Sequence, residues 1–221
     1  MYERRTRGHV PPRTTYDATV QGQPRVRPYQ AGDAAAVVPI LYDSSGGMYD
    51  RYAGSRRLAE RTLSRALEGG ESTASPDVIW VAELDGEVVG AMAAMRFREW
   101  TPRAHAFLRT TLRSIPPWRW PGALWVYRAG ERAGAEPPPA SLYVDSLATV
   151  ERFRRRGVAS ALLDFAERRA RELRLVAVAL DTWVDNEPAC ALYARAGFVE
   201  VGRSPGRGGM PGGVLLVKDL S

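Results

Sequence analysis

The sequence predicts an α/β fold in a single domain. Three observations carry this prediction: a strand, loop and helix at residues 142–173, a β-hairpin at residues 78–97, and a second apolar run at residues 175–180 with a short helix after it. With 221 residues and 45% hydrophobic content, the chain can bury a sizeable core, but its length does not favour two full domains. Residues 1–23 are polar, aperiodic and rich in proline and arginine, so we expect a disordered tail before a domain at residues 24–221.

The first elements of the domain are predicted to be a strand and two helices. Residues 25–30 can form the strand. Asp33 is placed to act as the N-cap of a helix over residues 34–42, because its carboxylate can accept a hydrogen bond from a free amide of the first turn. Leucines that alternate with charged positions predict the second helix over residues 55–67.

A β-hairpin is predicted next. Residues 78–84 and 87–97 are largely apolar and flank Asp85 and Gly86, a dipeptide typical of a two-residue hairpin turn. The two runs are therefore expected to pair as antiparallel strands.

About forty residues, 98–140, separate this hairpin from the next strand, where a short turn would suffice. Residues 104–114 and 123–133 have helical composition, so we expect a helical insertion. Its tryptophans can cover the sheet, cover a partner subunit in a homodimer, or form an aromatic lid over a ligand; we favour packing, which large aromatic side chains usually serve. These tryptophans are Trp100, Trp118, Trp120 and Trp125.

The most informative segment is the strand, loop and helix. Residues 142–149 favour a strand, and apolar residues then recur with helical spacing from residue 158 onward. A helix N-terminus offers free amides and the positive end of the helix dipole, a glycine lets an anion approach the backbone, and arginines add positive charge. The loop is therefore predicted to bind a pyrophosphate, with an ordinary solvated turn as the alternative. Its residues are Arg154, Arg155, Arg156 and Gly157.

Two other nucleotide-binding motifs do not fit the sequence. A P-loop needs a lysine after its glycines, and the only lysine of the chain is Lys218. A dinucleotide-binding fingerprint places its glycines between a strand and a helix, whereas the glycines at residues 206–213 lie between two short apolar strands. They predict a flexible hairpin turn.

Four motifs follow one another in the C-terminal half of the chain. They are the strand motif Tyr143-Val144-Asp145-Ser146-Leu147-Ala148, Arg-x-x-Gly-x-Ala from Arg154, Asn-x-x-Ala from Asn186, and Leu-Tyr-x-x-x-Gly-Phe from Leu192. In this order they resemble the GNAT superfamily, the acyl-CoA-dependent N-acyltransferases. The close resemblance covers residues 142–202, and a looser one reaches back to about residue 25.

The resemblance implies a mixed, centrally splayed sheet with helices on both faces. It also implies that acetyl-CoA binds at the N-terminus of the helix from Ser160, and that an acetyl group passes directly to a primary amine of a small molecule or a protein. The link at residues 43–52 would help to form the acceptor site, with a plain loop as an equal alternative. The cofactor-binding residues that the resemblance implies are Leu147, Ala148, Thr149, Arg154, Arg155, Arg156, Gly157, Val158, Ala159, Ser160 and Asn186.

Acyl transfer needs a neutral amine and a proton for the departing thiolate. Asp145 matches the acidic position of the family's central strand and is the candidate base, acting through a water because aspartate is short; otherwise it anchors backbone or substrate charge. Tyr193 matches the family tyrosine beside the CoA sulfur and is the candidate acid; otherwise it is a core aromatic residue. Asn186 contacts the pantetheine or phosphate end by resemblance, and otherwise only caps its helix.

Composition argues against several other classes of protein. One cysteine and two histidines leave no metal site. No apolar run approaches the roughly 18 residues of a membrane span, and the N-terminus lacks a signal sequence, so we expect no membrane contact and a cytoplasmic location. The net charge of +6 permits nucleic-acid binding, but Phe153 is the only aromatic residue near the loop arginines that could stack on bases. The main alternative to an enzyme is an acyl-CoA-binding sensor or scaffold, which would need neither Asp145 nor Tyr193.

Overall fold

The computed structural model describes residues 22–131, 136–206 and 211–221 of the chain. The strands of this part are β1 (Arg25–Pro28), β2 (Ile79–Leu84), β3 (Glu87–Arg96), β4 (Ser141–Thr149), β5 (Ala177–Trp183), β6 (Val199–Ser204) and β7 (Gly213–Asp219). They form one sheet in the order β1-β2-β3-β4-β5-β7-β6. Neighbouring strands run antiparallel except β4 and β5, which run parallel, so the sheet is mixed as predicted.

Helices flank this sheet along its length. They are α1 (Ala34–Ser44), α2 (Met48–Ala53), α3 (Arg56–Leu67), α4 (Phe97–Ser114), α5 (Trp120–Glu131), α6 (Val158–Glu172) and α7 (Glu187–Arg195). None of the described helices is both long enough and apolar enough to cross a bilayer.

The helices cover both faces of the sheet. On one face, α6 buries Leu162 and Phe165 in a core with side chains of β2 to β5. On the opposite face, α1 and α3 bury Leu41 and Leu63. Each fully buried leucine contributes about 1.5–3 kcal/mol to folding. Successive side chains of β2 enter opposite cores, as the alternation of a strand requires.

The centre of the sheet splays apart between its two parallel strands. β4 pairs with β5 only from Ser141 to Val144, opposite Ala177 to Leu180. Beyond this point β4 continues against β3, and β5 continues against β7. Residues 145–149 of β4 and 181–183 of β5 therefore have no strand partner on the sides that face each other. These free edges border a cleft.

The hairpin prediction is confirmed. β2 and β3 pair antiparallel around Asp85 and Gly86, which have φ angles of 52° and 81°. Positive φ at both central residues is the geometry of a type I′ turn, which matches the twist of the two strands.

The first helix begins where the sequence predicts, with Asp33 at the N-cap position of α1, but the predicted capping bond is missing. A 3-10 turn at Ala31–Asp33 precedes α1, and its N-cap is Gln30. Asp33 makes no side-chain capping bond to α1. Its carboxylate instead accepts a hydrogen bond from the Gln30 amide at 2.8 Å and pairs with Arg27 of β1 at 2.7 Å. The Asp33 carboxylate is thus engaged by Gln30 and Arg27 and makes no hydrogen bond to the first turn of α1.

The region between the hairpin and β4 is helical, but its helices begin earlier than predicted. α4 follows β3 directly at Phe97, and α5 begins at Trp120. Trp118, Trp120 and Trp125 are 78%, 42% and 50% exposed, so they do not cover the sheet. On α5 the buried face is formed by Ala123, Val126 and Tyr127, and Trp125 lies on the opposite side of the helix.

Three predictions fall outside the part of the chain that the structure describes. They concern residues 1–21 of the predicted tail, residues 132–133 at the end of the second predicted helix, and residues 207–210 of the glycine-rich turn. β6 and β7, which flank that turn, do pair antiparallel as a hairpin.

Candidate active site

A cleft of about 1120 Å³ opens where β4 and β5 diverge. We name its two ends by their side chains. The arginine end is formed by residues 147–160. The aromatic end is formed by lining residues from segments 43–52, 97–108 and 136–137, together with Thr73, Tyr127, Tyr143 to Ser146 of β4 and Asp181 of β5.

The arginine end has the geometry of an anion site. Gly157 is the N-cap of α6 with φ of 80°, and the space that a side chain would occupy there is open. The first backbone bond of the helix runs from the Ala161 amide to the Gly157 carbonyl at 2.9 Å. The amides of Val158, Ala159 and Ser160 precede this bond and are the free donors of the first turn. A pyrophosphate fits a site of this donor set.

Only two of the three loop arginines line the cleft. Arg154 and Arg155 border it, as do Val158, Ala159 and Ser160. The Arg156 guanidinium lies over the Phe153 ring, 5.4 Å from its centroid. Cofactor binding by Arg156 stays a prediction, and the structure gives this side chain a packing contact.

The middle of the cleft is bordered by the unpaired edge of β4. Leu147, Ala148 and Thr149 line the cleft with one edge of β4, and the other edge of β4 pairs with β3. The Thr149 hydroxyl is buried and has no hydrogen-bond partner among the described residues. Backbone groups along such an edge are available to an extended ligand.

Asp145 lies at the first unpaired position of β4. Its Oδ1 accepts a hydrogen bond from the Trp100 indole nitrogen of α4 at 2.7 Å. Burial raises the pKa of Asp145 to about 6, the Trp100 hydrogen bond lowers it, and the nearby charge of Asp181 raises it. A carboxylate with this pKa is ionised near neutral pH and still able to take up a proton.

A second carboxylate faces the cleft from β5. The Tyr143 hydroxyl donates a hydrogen bond to Asp181 across the point where the strands separate. Asp181 opens to the cleft, and its enclosure among the cleft residues raises its pKa despite the Tyr143 bond. Burial likewise raises the pKa of Tyr143, so its phenol stays protonated. The Tyr143 ring packs edgewise against Phe97 and Trp100.

Tyr193 of α7 is buried and lines the same cleft. Its ring contacts Phe198 edge to face, with centroids 6.0 Å apart. Burial, followed by the charges of Asp181 and Cys190, raises the pKa of Tyr193 to about 12. The phenol is therefore fully protonated at neutral pH, and the same burial makes it a weaker acid than a free phenol.

Asn186 caps the helix that carries Tyr193. Its side-chain oxygen accepts a hydrogen bond from the Ala189 amide at 3.4 Å, and its nitrogen donates to the Thr182 hydroxyl at 3.2 Å. The capping role that the sequence left open is thus present. Asn186 also lines the cleft, so contact with a cofactor is compatible with capping.

The link between α1 and α3 forms a wall of the aromatic end. It contains α2, so it is not a plain loop. The Tyr49 side chain hydrogen-bonds to Ser146, next to Asp145. A Cβ placed on Gly46 would lie 2.9 Å from the Trp183 indole nitrogen, so this link closes against the end of β5.

Comparison with known proteins decides the family. The model of the acetyltransferase (GNAT) family matches residues 47–198, which is more than half of the chain. The chain belongs to the GNAT acetyltransferase family. Membership confirms the predicted family and the acyltransferase class, and acetyl-CoA is the cofactor that GNAT enzymes use.

Solved structures agree with the predicted GNAT fold. An N-acetyltransferase from Staphylococcus aureus Mu50 superposes with a TM-score of 0.66 at 17% identity, over 87% of this chain and 99% of that chain. The ribosomal-protein-S18-alanine N-acetyltransferase from Escherichia coli gives 0.52 at 13% identity, over 90% of this chain and 95% of that chain. At these identities the likeness concerns the fold.

A local sequence match is also found to an acetyltransferase. The streptothricin acetyltransferase from Escherichia coli is 44% identical over 45 residues, 20% of this chain. The aligned part of this chain spans only about a quarter, 26%, of the length of that relative.

Sequence reasoning missed three side chains of this GNAT cleft. Trp100 was assigned to packing, and neither Tyr143 nor Asp181 was given the contact that joins them. Asp181 had one usable signal: it follows the apolar run of β5 as Asp145 follows that of β4, and parallel strands end at the same edge of a sheet. Among the described residues no cluster of potential metal ligands occurs.

Proposed function

We propose that the protein transfers an acetyl group directly from acetyl-CoA to a primary amine, with Asp145 as the base, acting through a water, and Tyr193 as the general acid. The single observation that carries this proposal is that residues from β4 and α7 lie in one cleft beside the free amides of α6. A binding domain without turnover would need neither the carboxylate nor the phenol.

Each chemical demand of the reaction has a group in the cleft. Acetyl-CoA supplies a thioester whose carbonyl carbon is attacked by the amine. A free amine has a pKa of about 10 and must first lose a proton, which Asp145 accepts. The unpaired backbone edge of residues 147–149 offers donors to the carbonyl oxygen. As the carbon–sulfur bond breaks, Tyr193 donates its proton to the thiolate, whose thiol has a pKa of about 8.5.

The proton count closes over one cycle. The proton lost by the attacking nitrogen goes to Asp145 or on to solvent, and Tyr193 regains from solvent the proton that it gave to sulfur. The products are an amide and a free thiol. The free amides of Val158 to Ser160, with Arg154 and Arg155, would hold the pyrophosphate of the donor throughout.

The domain bounds, the cellular location and the oligomeric state belong to the same proposal. We place the catalytic domain at residues 24–221, with an insertion at about residues 98–140 that contains α5 and most of α4. We place the reaction in the cytoplasm. We also propose that the insertion faces a partner subunit in a homodimer, because Trp118 and Trp125 are exposed.

Two measurements test the proposal. Calorimetric titration should give one-site binding of acetyl-CoA, and much weaker binding of ATP and NADH at equal ionic strength. Tyr193→Phe should lower the rate of thiol release about 100-fold without changing acetyl-CoA affinity. Tyr29→Phe, outside the cleft, is the matched control and should keep the wild-type rate. Equal weak binding of all three nucleotides, or full turnover by Tyr193→Phe, would contradict the proposed function.

A further inference from the structure

The two ends of the cleft have opposite charge. The chain carries 31 basic residues and a net charge of +6. Nevertheless, the described residues that line the aromatic end include four carboxylates and no basic side chain. The carboxylates are Asp43, Glu136, Asp145 and Asp181. A surface of this composition in a basic protein selects its ligand by charge.

The arginines of the cleft belong to other parts of it. Arg154 and Arg155 come from the loop before α6, and Arg195 comes from the last turn of α7. Arg203 of β6 is bound by Glu200 through its Nε at 2.5 Å. None of them contributes to the pKa of Asp145 or Asp181, so no described cation balances these two carboxylates.

Asp145 and Asp181 line the same cleft, and their side-chain hydrogen-bond partners among the described residues are neutral. Asp145 accepts a hydrogen bond from Trp100, and Asp181 accepts one from Tyr143 and one from its own backbone amide. Two carboxylates that share a cleft without a cation repel each other. A ligand that brings one positive charge can balance only one of them.

Aromatic rings surround the same carboxylates. Trp100 and Tyr143 contact each other edge to face, and the ring of Tyr49 lies 5.9 Å from that of Phe107. Aromatic faces attract ammonium groups and accept the methylene chain between them. A carboxylate on the ligand would instead meet four like charges.

We propose that the acceptor is an organic dication or polycation without a carboxylate, in which one amine reacts beside Asp145 while a second ammonium stays protonated and binds Asp181. This inference rests on the proposed acetyl transfer for the role of the first amine. It assigns Asp181 to substrate selection, and it excludes amino acids with a free carboxylate as acceptors.

Three five-carbon probes separate charge from size. They are 1,5-diaminopentane, n-pentylamine and 5-aminopentanoate, each titrated calorimetrically at pH 7.5 into the full-length protein saturated with CoA. The diamine should bind about tenfold more tightly than pentylamine, and the amino acid should bind most weakly. The affinity of the diamine should also fall more steeply with added salt than that of pentylamine.

Two variants test whether Asp181 is responsible for the preference for the diamine. Asp181→Asn should reduce the affinity for the diamine to about that for pentylamine. Asp164→Asn removes one charge from the exposed side of α6 and should leave the preference intact. Thermal melting of both variants checks that they are folded. Equal affinity for diamine and monoamine, tighter binding of 5-aminopentanoate, or no binding of the diamine would overturn the inference.

Thiol release from acetyl-CoA distinguishes this inference from the proposed function. A preference for the diamine without any thiol release would leave the dication inference standing and remove the acetyl transfer. Equal turnover of pentylamine and the diamine would keep the acetyl transfer and remove the dication inference.

Discussion

The arginine end and the aromatic end of the cleft differ in how far apart their residues lie in the chain. The arginine end is one continuous segment, in which a strand, a loop and a helix follow each other within residues 147–160. The aromatic end joins a link between two helices, the first turns of α4 and the separated ends of β4 and β5. The first needs only local folding, whereas the second exists only when distant elements pack together.

Because of this difference, we expect substitutions at the two ends to affect different properties of the protein. A local anion site built from backbone amides is sensitive to backbone geometry, while a site of side chains from several elements is sensitive to charge and hydrogen bonding. We therefore expect changes at the arginine end to act on acetyl-CoA affinity, and changes at the aromatic end to act on turnover and its dependence on pH.

The largest expected effect comes from removing the candidate base. Asp145→Asn keeps the shape of the side chain and an oxygen for the Trp100 indole, but it cannot accept a proton. The turnover number should fall about 100-fold or more, because general base catalysis contributes this much. Steady-state thiol release measures the rate, and calorimetry should give an acetyl-CoA dissociation constant within about twofold of the wild type.

Asp164→Asn is the matched control for this change, since it removes one carboxylate from the exposed side of α6. It should behave as the wild type in both measurements. If Asp145→Asn instead abolished acetyl-CoA binding, the two ends would not be independent, and the comparison between them would be wrong.

The contrast between the ends also explains what the sequence could predict. The strand, the arginine loop and α6 were predictable because strand and helix periodicity meet at Gly157 within a few residues. The Trp100 hydrogen bond to Asp145 was not, because it spans 45 residues and depends on α4 starting directly after β3. The same holds for Tyr143 and Asp181, which meet only through the parallel register of β4 and β5.

The missing capping bond at Asp33 has a related cause. Capping rules consider only the residues at a helix end, whereas here the Asp33 carboxylate forms an ion pair with Arg27 of β1. Predictions from the sequence therefore succeeded where one element or turn decided the structure, and failed where an ion pair or hydrogen bond came from another element.

The second prediction concerns the backbone of the arginine end. Gly157→Ala places a methyl group on a residue with φ of 80°, next to the free amides of α6. The added strain and the lost close approach should weaken acetyl-CoA binding about tenfold. Gly86→Ala is a close control, because Gly86 has φ of 81° and equally open surroundings in the β2–β3 hairpin. Equal affinity of both variants for acetyl-CoA would mean that Gly157 is an ordinary turn residue.

A smaller effect should appear in the pH profile. Because Asp145 must be ionised to act as a base, kcat/KM should rise as the pH increases through its pKa of about 6. Trp100→Phe removes the hydrogen bond that lowers this pKa, so the acidic limb should move upward by about one pH unit. Trp125→Phe, on the exposed side of α5, should leave the limb in place. An unchanged profile for Trp100→Phe would show that the indole only packs.

The smallest effect is one of stability, and its sign follows from the same pKa. Asp145 has a pKa of about 6 when folded and an ordinary value of 3.8, so the folded state binds more protons between these values and its stability decreases as the pH rises through this window. Asparagine does not titrate, so Asp145→Asn should be more stable than the wild type at pH 8 and nearly equal at pH 4. Allowing for partial solvation, we expect the free energy of unfolding of Asp145→Asn to exceed that of the wild type by about 1 kcal/mol at pH 8. This corresponds to a Tm that is roughly 2–4 °C higher. A wild type that melts higher than the variant at pH 8 would mean that a cation stabilises the ionised Asp145, and the aromatic end would then already contain the charge that we assign to the acceptor.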